Sequence, residues 1–164
     1  MPLLCTTTLI HAPAAVAFGL ALDVREHTAA LAHTGERVLA PGRVAGRLQA
    51  GELVRFQATH LGIGWTLDAR VVLVDAPRRF VDEQVRGPFR SLRHEHLFAE
   101  TGAGTLLTDR ISWVSPLGLL GRFADEVGVR RTLLRTLIAR NTHLKRRAEV
   151  AFARGAWVRL IVPG

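Results

Sequence analysis

At 164 residues, 48% apolar and 22% charged, the chain has the size and composition of a single folded domain, which excludes disorder and any need for a disulfide or metal to hold the fold. The lone cysteine, Cys5, excludes an internal disulfide and a four-cysteine zinc site. The net charge is +8, but Lys145 is the only lysine among 22 basic residues, and that arginine skew is also what GC-rich codon usage produces.

In chain order, residues 3–11 are rich in Thr and Leu and read as a strand. Ala12-Pro13-Ala14-Ala15 follows, with proline suited to a first helical turn, so Ala15–Leu22 is expected as a short apolar helix. Asp23 is placed to cap a second short helix running to about His33. From Glu36 to Val114 the texture changes to short alternating runs, at 36–40, 43–48, 52–60, 64–75, 78–86, 89–100 and 104–114, separated by Gly- and Pro-containing turns. Connections this short leave no room for helical crossovers, so the strands are expected to form an antiparallel meander. In 64–75 the residues Trp65, Leu67, Ala69, Val71 and Leu73 share one face; in 89–98, Leu92, His94, His96 and Phe98 do.

After Ser115-Pro116-Leu117-Gly118 a helix is expected from about Leu119 to Ala153, with Gly128 as a kink and Gly155 as the C-cap. Its apolar stripe is Phe123, Val127, Leu134, Leu137, Ile138, Leu144, Ala148 and Phe152, with arginines assigned to the opposite face. Residues 117–154 carry nine basic and three acidic side chains, about +6 of the total. A sheet with one apolar face and a helix with one apolar stripe bury them against each other, and a long curling sheet leaves a cavity at the join. The expectation is an α+β fold, a curved antiparallel sheet of six to seven strands around a long C-terminal helix, with two short helices after strand 1. One domain spans 1–154, and 155–164 is an apolar tail that includes Trp157 and Leu160 to Val162.

Several runs resemble the helix-grip (START-related, SRPBCC) superfamily, which includes polyketide cyclases, coenzyme Q-binding proteins, the birch-pollen allergen group and lipid-transfer domains. They are Ile10-His11-Ala12-Pro13-Ala14, Asp75 to Asp82, Gly87-Pro88-Phe89 ahead of His94-Glu95-His96-Leu97-Phe98, and Asp109 ahead of Ser115-Pro116-Leu117-Gly118. The likeness is to its bacterial ligand-binding or cyclase/dehydrase-like branch and covers about residues 3–150. It implies the same fold and a cavity for a hydrophobic small molecule, such as a lipid, quinone or polyketide-like aromatic. It supplies no catalytic residue.

The cavity candidates are Trp65, His94, His96, Phe98, Asp109, Trp113, Phe123 and Val127. His94 and His96 lie two apart on one strand face, and a metal there needs a third ligand from His60 or Asp109; cavity lining or plain structural roles weigh more, so no metal and no cofactor are expected. Charged strand residues from Asp82 to Arg110 are assigned to cross-strand ion pairs on the solvent face, with Asp109 and Arg90 the first suspects for turning inward. No Gly-x-Ser-x-Gly, P-loop or dinucleotide fingerprint is present, and Gly62-Ile63-Gly64 reads as a turn. An enzyme of the cyclase/dehydrase type, using His94, His96 or Asp109 as acid or base, is the alternative to pure binding. The arginine face offers a third reading, as a docking module making weak contact with an anionic membrane through Arg146 and Arg147. No aromatics are interleaved with the arginines, so nucleic acid is not an expected partner. The N-terminus lacks a basic leader region and no run reaches about 18 apolar residues, so the expected location is cytoplasmic.

Overall fold

The computed structural model describes residues 1–60, 63–116 and 128–155, with the side chains of residues 59, 60 and 63 also outside the description. Seven strands form one antiparallel sheet: β1 (Leu3–Ile10), β2 (Arg37–Leu39), β3 (Leu53–His60), β4 (Ile63–Asp75), β5 (Arg79–Arg86), β6 (Ser91–Thr101) and β7 (Gly104–Val114). Their order is β1-β7-β6-β5-β4-β3-β2, so β2 to β7 form a meander and β1 closes onto the last strand. Two short helices, α1 (Ala14–Ala21) and α2 (Val24–Ala30), follow β1, and α3 (Arg130–Ala153) ends the described chain.

The expected order of elements is thus the observed one, with local departures. Residues 43–48 form no strand; an isolated bridge from Arg47 to Asp23 stands in their place. Ile63 and Gly64, expected in a turn, already belong to β4, where Ile63 pairs with His60. Asp23 caps α2 as expected, accepting a hydrogen bond from the Arg25 amide at 2.8 Å, but the helix stops at Ala30 and one 3-10 turn carries the chain on to Thr34. The long helix is described only from Arg130, entered through a wider π-type turn at Gly128 and Val129, and Gly155 ends it with φ +63°. Phe123, Val127 and the whole of the predicted tail 156–164 lie outside the described residues.

Two bulges bend the middle of the sheet. The β4–β5 register places one extra residue, Val72, in β4 and another, Val85, in β5. A bulge kinks its strand and re-aims the side chains beyond it. Here the pair straddles Asp82, which stays on the concave side. The β6–β7 turn closes with Gly104 at φ +128°, where a Cβ would stand 2.3 Å from the Ile10 carbonyl oxygen. Next to it the buried Thr105 hydroxyl donates to the Ala12 carbonyl at 2.7 Å and pins the start of α1 to the sheet.

Apolar packing falls into separate blocks on the concave face. One joins α1 (Val16, Phe18, Leu20) to Phe80, Phe98 and Leu107 of the sheet and to Leu144 and Ala148 of α3. A second joins Leu4, Leu92, Ile111 and Trp113 to Leu137. The buried stripe of α3 is therefore Leu137, Arg140, Asn141, Leu144 and Ala148. This corrects the sequence reading at three points: Ile138 is 56% exposed, Phe152 is 42% exposed, and Arg140 lies on the buried face. The reason is angular: 140 and 141 stand three and four residues from Leu137 and from Leu144, so they share the stripe, whereas 138 is turned about 100° from 137.

Leu144→Ala should then cost about 2–5 kcal/mol of unfolding free energy in urea titration. Ile138→Ala should stay within about 0.5 kcal/mol by the same measurement.

On the sheet's other face, Arg55 grips the buried Asp68 with two hydrogen bonds of 2.6 Å, and this holds the Asp68 carboxyl below its ordinary value. A lowered folded-state value means the pair's stabilisation is complete above about pH 4 and is lost as pH falls through it. Denaturation midpoints of wild type and Asp68→Asn should converge as pH is taken from 7 to 2.

Candidate functional site

Between the two apolar blocks runs a polar belt, built from two adjacent rows of inward-facing residues. One row crosses the sheet as Thr6, Asp109, His96 and Phe80; the next as Leu4, Ile111, His94 and Asp82. Helix α3 has the same layering: Leu137 meets one block, Leu144 and Ala148 meet the other, and Arg140 and Asn141 reach the belt between them.

Asp109 is the hub. It is fully buried, and four side chains converge on its carboxylate. His94 Nε2 lies 3.0 Å from Oδ1, His96 Nδ1 2.7 Å and Arg140 Nη1 3.3 Å, while Asn141 Nδ2 donates to Oδ2 at 2.6 Å. On its far side His96 Nε2 stands 3.0 Å from Asp82 Oδ2, and Arg140 Nη1 is also 3.2 Å from His96 Nδ1. The His96 ring stacks on Phe80 at 4.0 Å between centroids and sits 3.7 Å from the His94 ring.

Burial pulls the His94 imidazole down to about 4, with the neighbouring His96 adding to the fall and the hydrogen bond to Asp109 opposing it. His94 is neutral at pH 7. Burial pushes the Asp109 carboxyl upward, but the hydrogen bonds from His94 and His96 outweigh it and hold the group well below its ordinary range. Asp82 behaves alike: burial raises it, and the His96 hydrogen bond with the charges of His94, His96 and Arg140 brings it below normal. Two carboxylates and one guanidinium leave the belt with one uncompensated negative charge when both imidazoles are neutral. Two further buried atoms at the belt, Thr6 Oγ1 and Asn141 Oδ1, have no hydrogen-bond partner among the described residues. Buried polar atoms are seldom left so, and each is a point where a ligand or ordered water gains free energy.

Of the sequence candidates, His94, His96 and Asp109 come together in this belt. Phe98 is buried beside it, edge-on to Phe18 at 5.4 Å, and Trp113 is fully buried in the second block. Trp65 is 39% exposed, on the concave-facing set of β4 opposite Ala58. Arg90 is exposed on the connection into β6, so its suspected inward turn is not observed. Arg147, a proposed membrane contact, is instead held by three hydrogen bonds to Glu26 of α2, while Arg146 lines an open groove of about 400 Å³ on α3 with Thr142, Lys145, Glu149, Val150 and Ala153. Between α1, α2 and α3 a void of about 10 Å³ touches Arg140, Leu20, Ala21, Glu26, His27, His143 and Leu144. That is room for about one water.

The sequence reading missed Asp82, Arg140 and Asn141. For the helix pair the signal was present, since both fall on the Leu137–Leu144 stripe. For Asp82 it was ambiguous, because Phe80 and Val81 are both apolar and both buried, so alternation along β5 does not say which face is inward.

No helix among the described residues is long and apolar enough to cross a membrane. No family model and no curated protein matches the sequence. Solved structures do match. TTHA0849 from Thermus thermophilus superposes with a TM-score of 0.74 at 18% identity, covering 92% of this chain and 99% of that one. The Zhui aromatase/cyclase from Streptomyces sp. R1128 gives 0.69 at 19% identity, covering 92% and 94%. Ginseng major latex-like protein 151 from Panax ginseng gives 0.65 at 16% identity, covering 90% and 97%. At such identities the likeness shows the fold, and the chain has the helix-grip fold.

If the hub carries the belt, Asp109→Ala should cost about 3–5 kcal/mol, because Arg140 and two imidazoles lose their buried acceptor. Arg110→Ala, one residue on and facing solvent in a 3.9 Å pair with Glu95, should change stability by less than about 0.5 kcal/mol. Chemical denaturation of both variants separates the two cases.

Proposed function

We propose that the protein binds a hydrophobic small molecule between the concave face of the sheet and α3, with the polar belt fixing one polar end of the ligand. The observation that carries this reading is the pair of unpartnered buried atoms, Thr6 Oγ1 and Asn141 Oδ1, set among charged groups that are already held by one another. A hydroxyl donor on the ligand suits Asn141 Oδ1, and a carbonyl oxygen suits the Thr6 hydroxyl. The apolar blocks on either side would supply affinity by burial, at roughly 25 cal/mol per Å² of apolar surface removed from water. The aromatase/cyclase and the latex-like protein that share the fold support a small-molecule role of this kind.

A second reading, catalysis of the cyclase or dehydrase type, is favoured by one feature. His94 is neutral and hydrogen-bonded to an ionised buried carboxylate, the arrangement that fixes a tautomer and leaves the other ring nitrogen free to take a proton. In that case a substrate would need its acidic C–H or O–H within about 3 Å of His94.

The void beside Arg140 has room for about one water and is not by itself the ligand site. Native mass spectrometry of protein from its own host should show a co-purifying apolar molecule. An anilinonaphthalene sulfonate probe should be displaced by members of a lipid, quinone and polyphenol panel. Asn141→Leu should weaken that displacement about tenfold, the value of one lost hydrogen bond. Absence of both a retained molecule and any competition would remove the binding reading.

A further inference from the structure

Asp109 stands against one nitrogen of each histidine, and the consequence lies on their opposite edges. His96 Nδ1 is 2.7 Å from Asp109 Oδ1, a separation at which an unprotonated nitrogen would repel the carboxylate. Arg140 Nη1 lies against both atoms, 3.2 Å from that nitrogen and 3.3 Å from Oδ1, and its positive charge offsets the repulsion. The His94 Nε2–H is likewise directed at Asp109. A neutral imidazole with one nitrogen protonated offers a lone pair on the other. His96 Nε2 faces Asp82 Oδ2 at 3.0 Å, a separation that one proton or one metal ion can bridge.

We propose that Asp82, His94 and His96 form a binding site for a divalent transition-metal ion, with Asp109 as the carboxylate that orients both imidazoles. One ligand atom from each residue lies within 4.8 Å of the others. Donors about 2.1 Å from one ion and at right angles are about 3.0 Å apart, which is the Asp82–His96 separation; the widest pair an ion can hold is about 4.2 Å, so the last approach is a side-chain turn of about half an ångström. Two imidazoles and one carboxylate suit zinc, iron(II), cobalt(II) or manganese and not calcium or magnesium.

The support around the site is what distinguishes it from a chance cluster. Metal-binding imidazoles usually donate their second N–H to a carboxylate or carbonyl, and here one buried carboxylate serves both. Arg140 and Asn141 in turn hold that carboxylate, and Phe80 stacks on His96 and limits its rotation. Asp82 is the most exposed of the three, at 22% of its side chain, which leaves an approach from solvent and a coordination position for water or substrate. The competing occupant of the same place is a single proton, making His96 a cation that donates to both carboxylates.

The full-length protein, stripped with a chelator, should bind Co²⁺ at one ion per chain and show visible absorption bands of a nitrogen- and oxygen-ligated ion. Zn²⁺ should displace it. Asp82→Asn and His94→Ala should each weaken Co²⁺ by at least about tenfold, and Asp109→Asn by about 10–100-fold without removing a ligand. Asp82→Asn, which keeps shape at the least buried position, tests the site if the histidine or Asp109 variants fail to fold; circular dichroism of each variant decides that. Saturable binding lost in folded Asp82→Asn supports the site. No saturable binding of Co²⁺ or Zn²⁺, or binding unaltered in folded Asp82→Asn, overturns it in favour of the proton. Probe displacement by apolar compounds is read separately, so a metal-free result leaves the ligand reading standing.

Discussion

A fully buried carboxylate organises this protein. Asp109 sits at the centre of the concave face with no access to solvent, and an ionised group there is tolerated only when it is densely hydrogen-bonded. Its partners come from β6 (His94, His96) and from α3 (Arg140, Asn141), so satisfying one carboxylate ties the helix to the middle of the sheet. Apolar packing is forgiving of a slide by one helical turn. A belt of directional polar contacts is not, and it sets the register of the grip.

The layering follows from that constraint. Leu137 must then meet the Trp113 block and Leu144 the Phe18–Phe98 block, with the charged residues between. The helix α2 adds a clasp at the outside, where Glu26 takes hydrogen bonds from Arg147 and His143 of α3. This also accounts for part of the high positive charge. Arg140 and Arg147 are structural cations held by Asp109 and Glu26, so these two arginines are not free to engage a partner.

The polar belt is the largest cluster of buried charged side chains among the described residues. Its groups are mutually held rather than loose, which is costly for stability and useful for orienting a ligand or an ion. The two bulges matter here in a way unlike their local role in β4 and β5. They bracket the regular stretch in which Val71 pairs with Asp82 and Ala69 with Gln84, all four on the concave side.

Much of the architecture was legible in the amino-acid sequence. Short turns between alternating runs dictate an antiparallel meander, and a 24-residue amphipathic helix after seven strands has one large apolar surface to cover. Period two also placed His94 and His96 on one face and pointed to Asp109, because parity within an unbroken strand is a local property. Asp82 was not legible: Phe80 and Val81 are both apolar, and only the packing of α1 and α3 on one side of the sheet decides which parity of β5 faces the site. Arg140 and Asn141 lay on the right stripe, yet an arginine is assigned to solvent by habit until a buried carboxylate is known to face it. Local patterning thus determined which elements form and which way most side chains face. Only the packing of β5, β6, β7 and α3 around one buried charge decided that Asp82 and the adjacent Arg140 and Asn141 would complete the site.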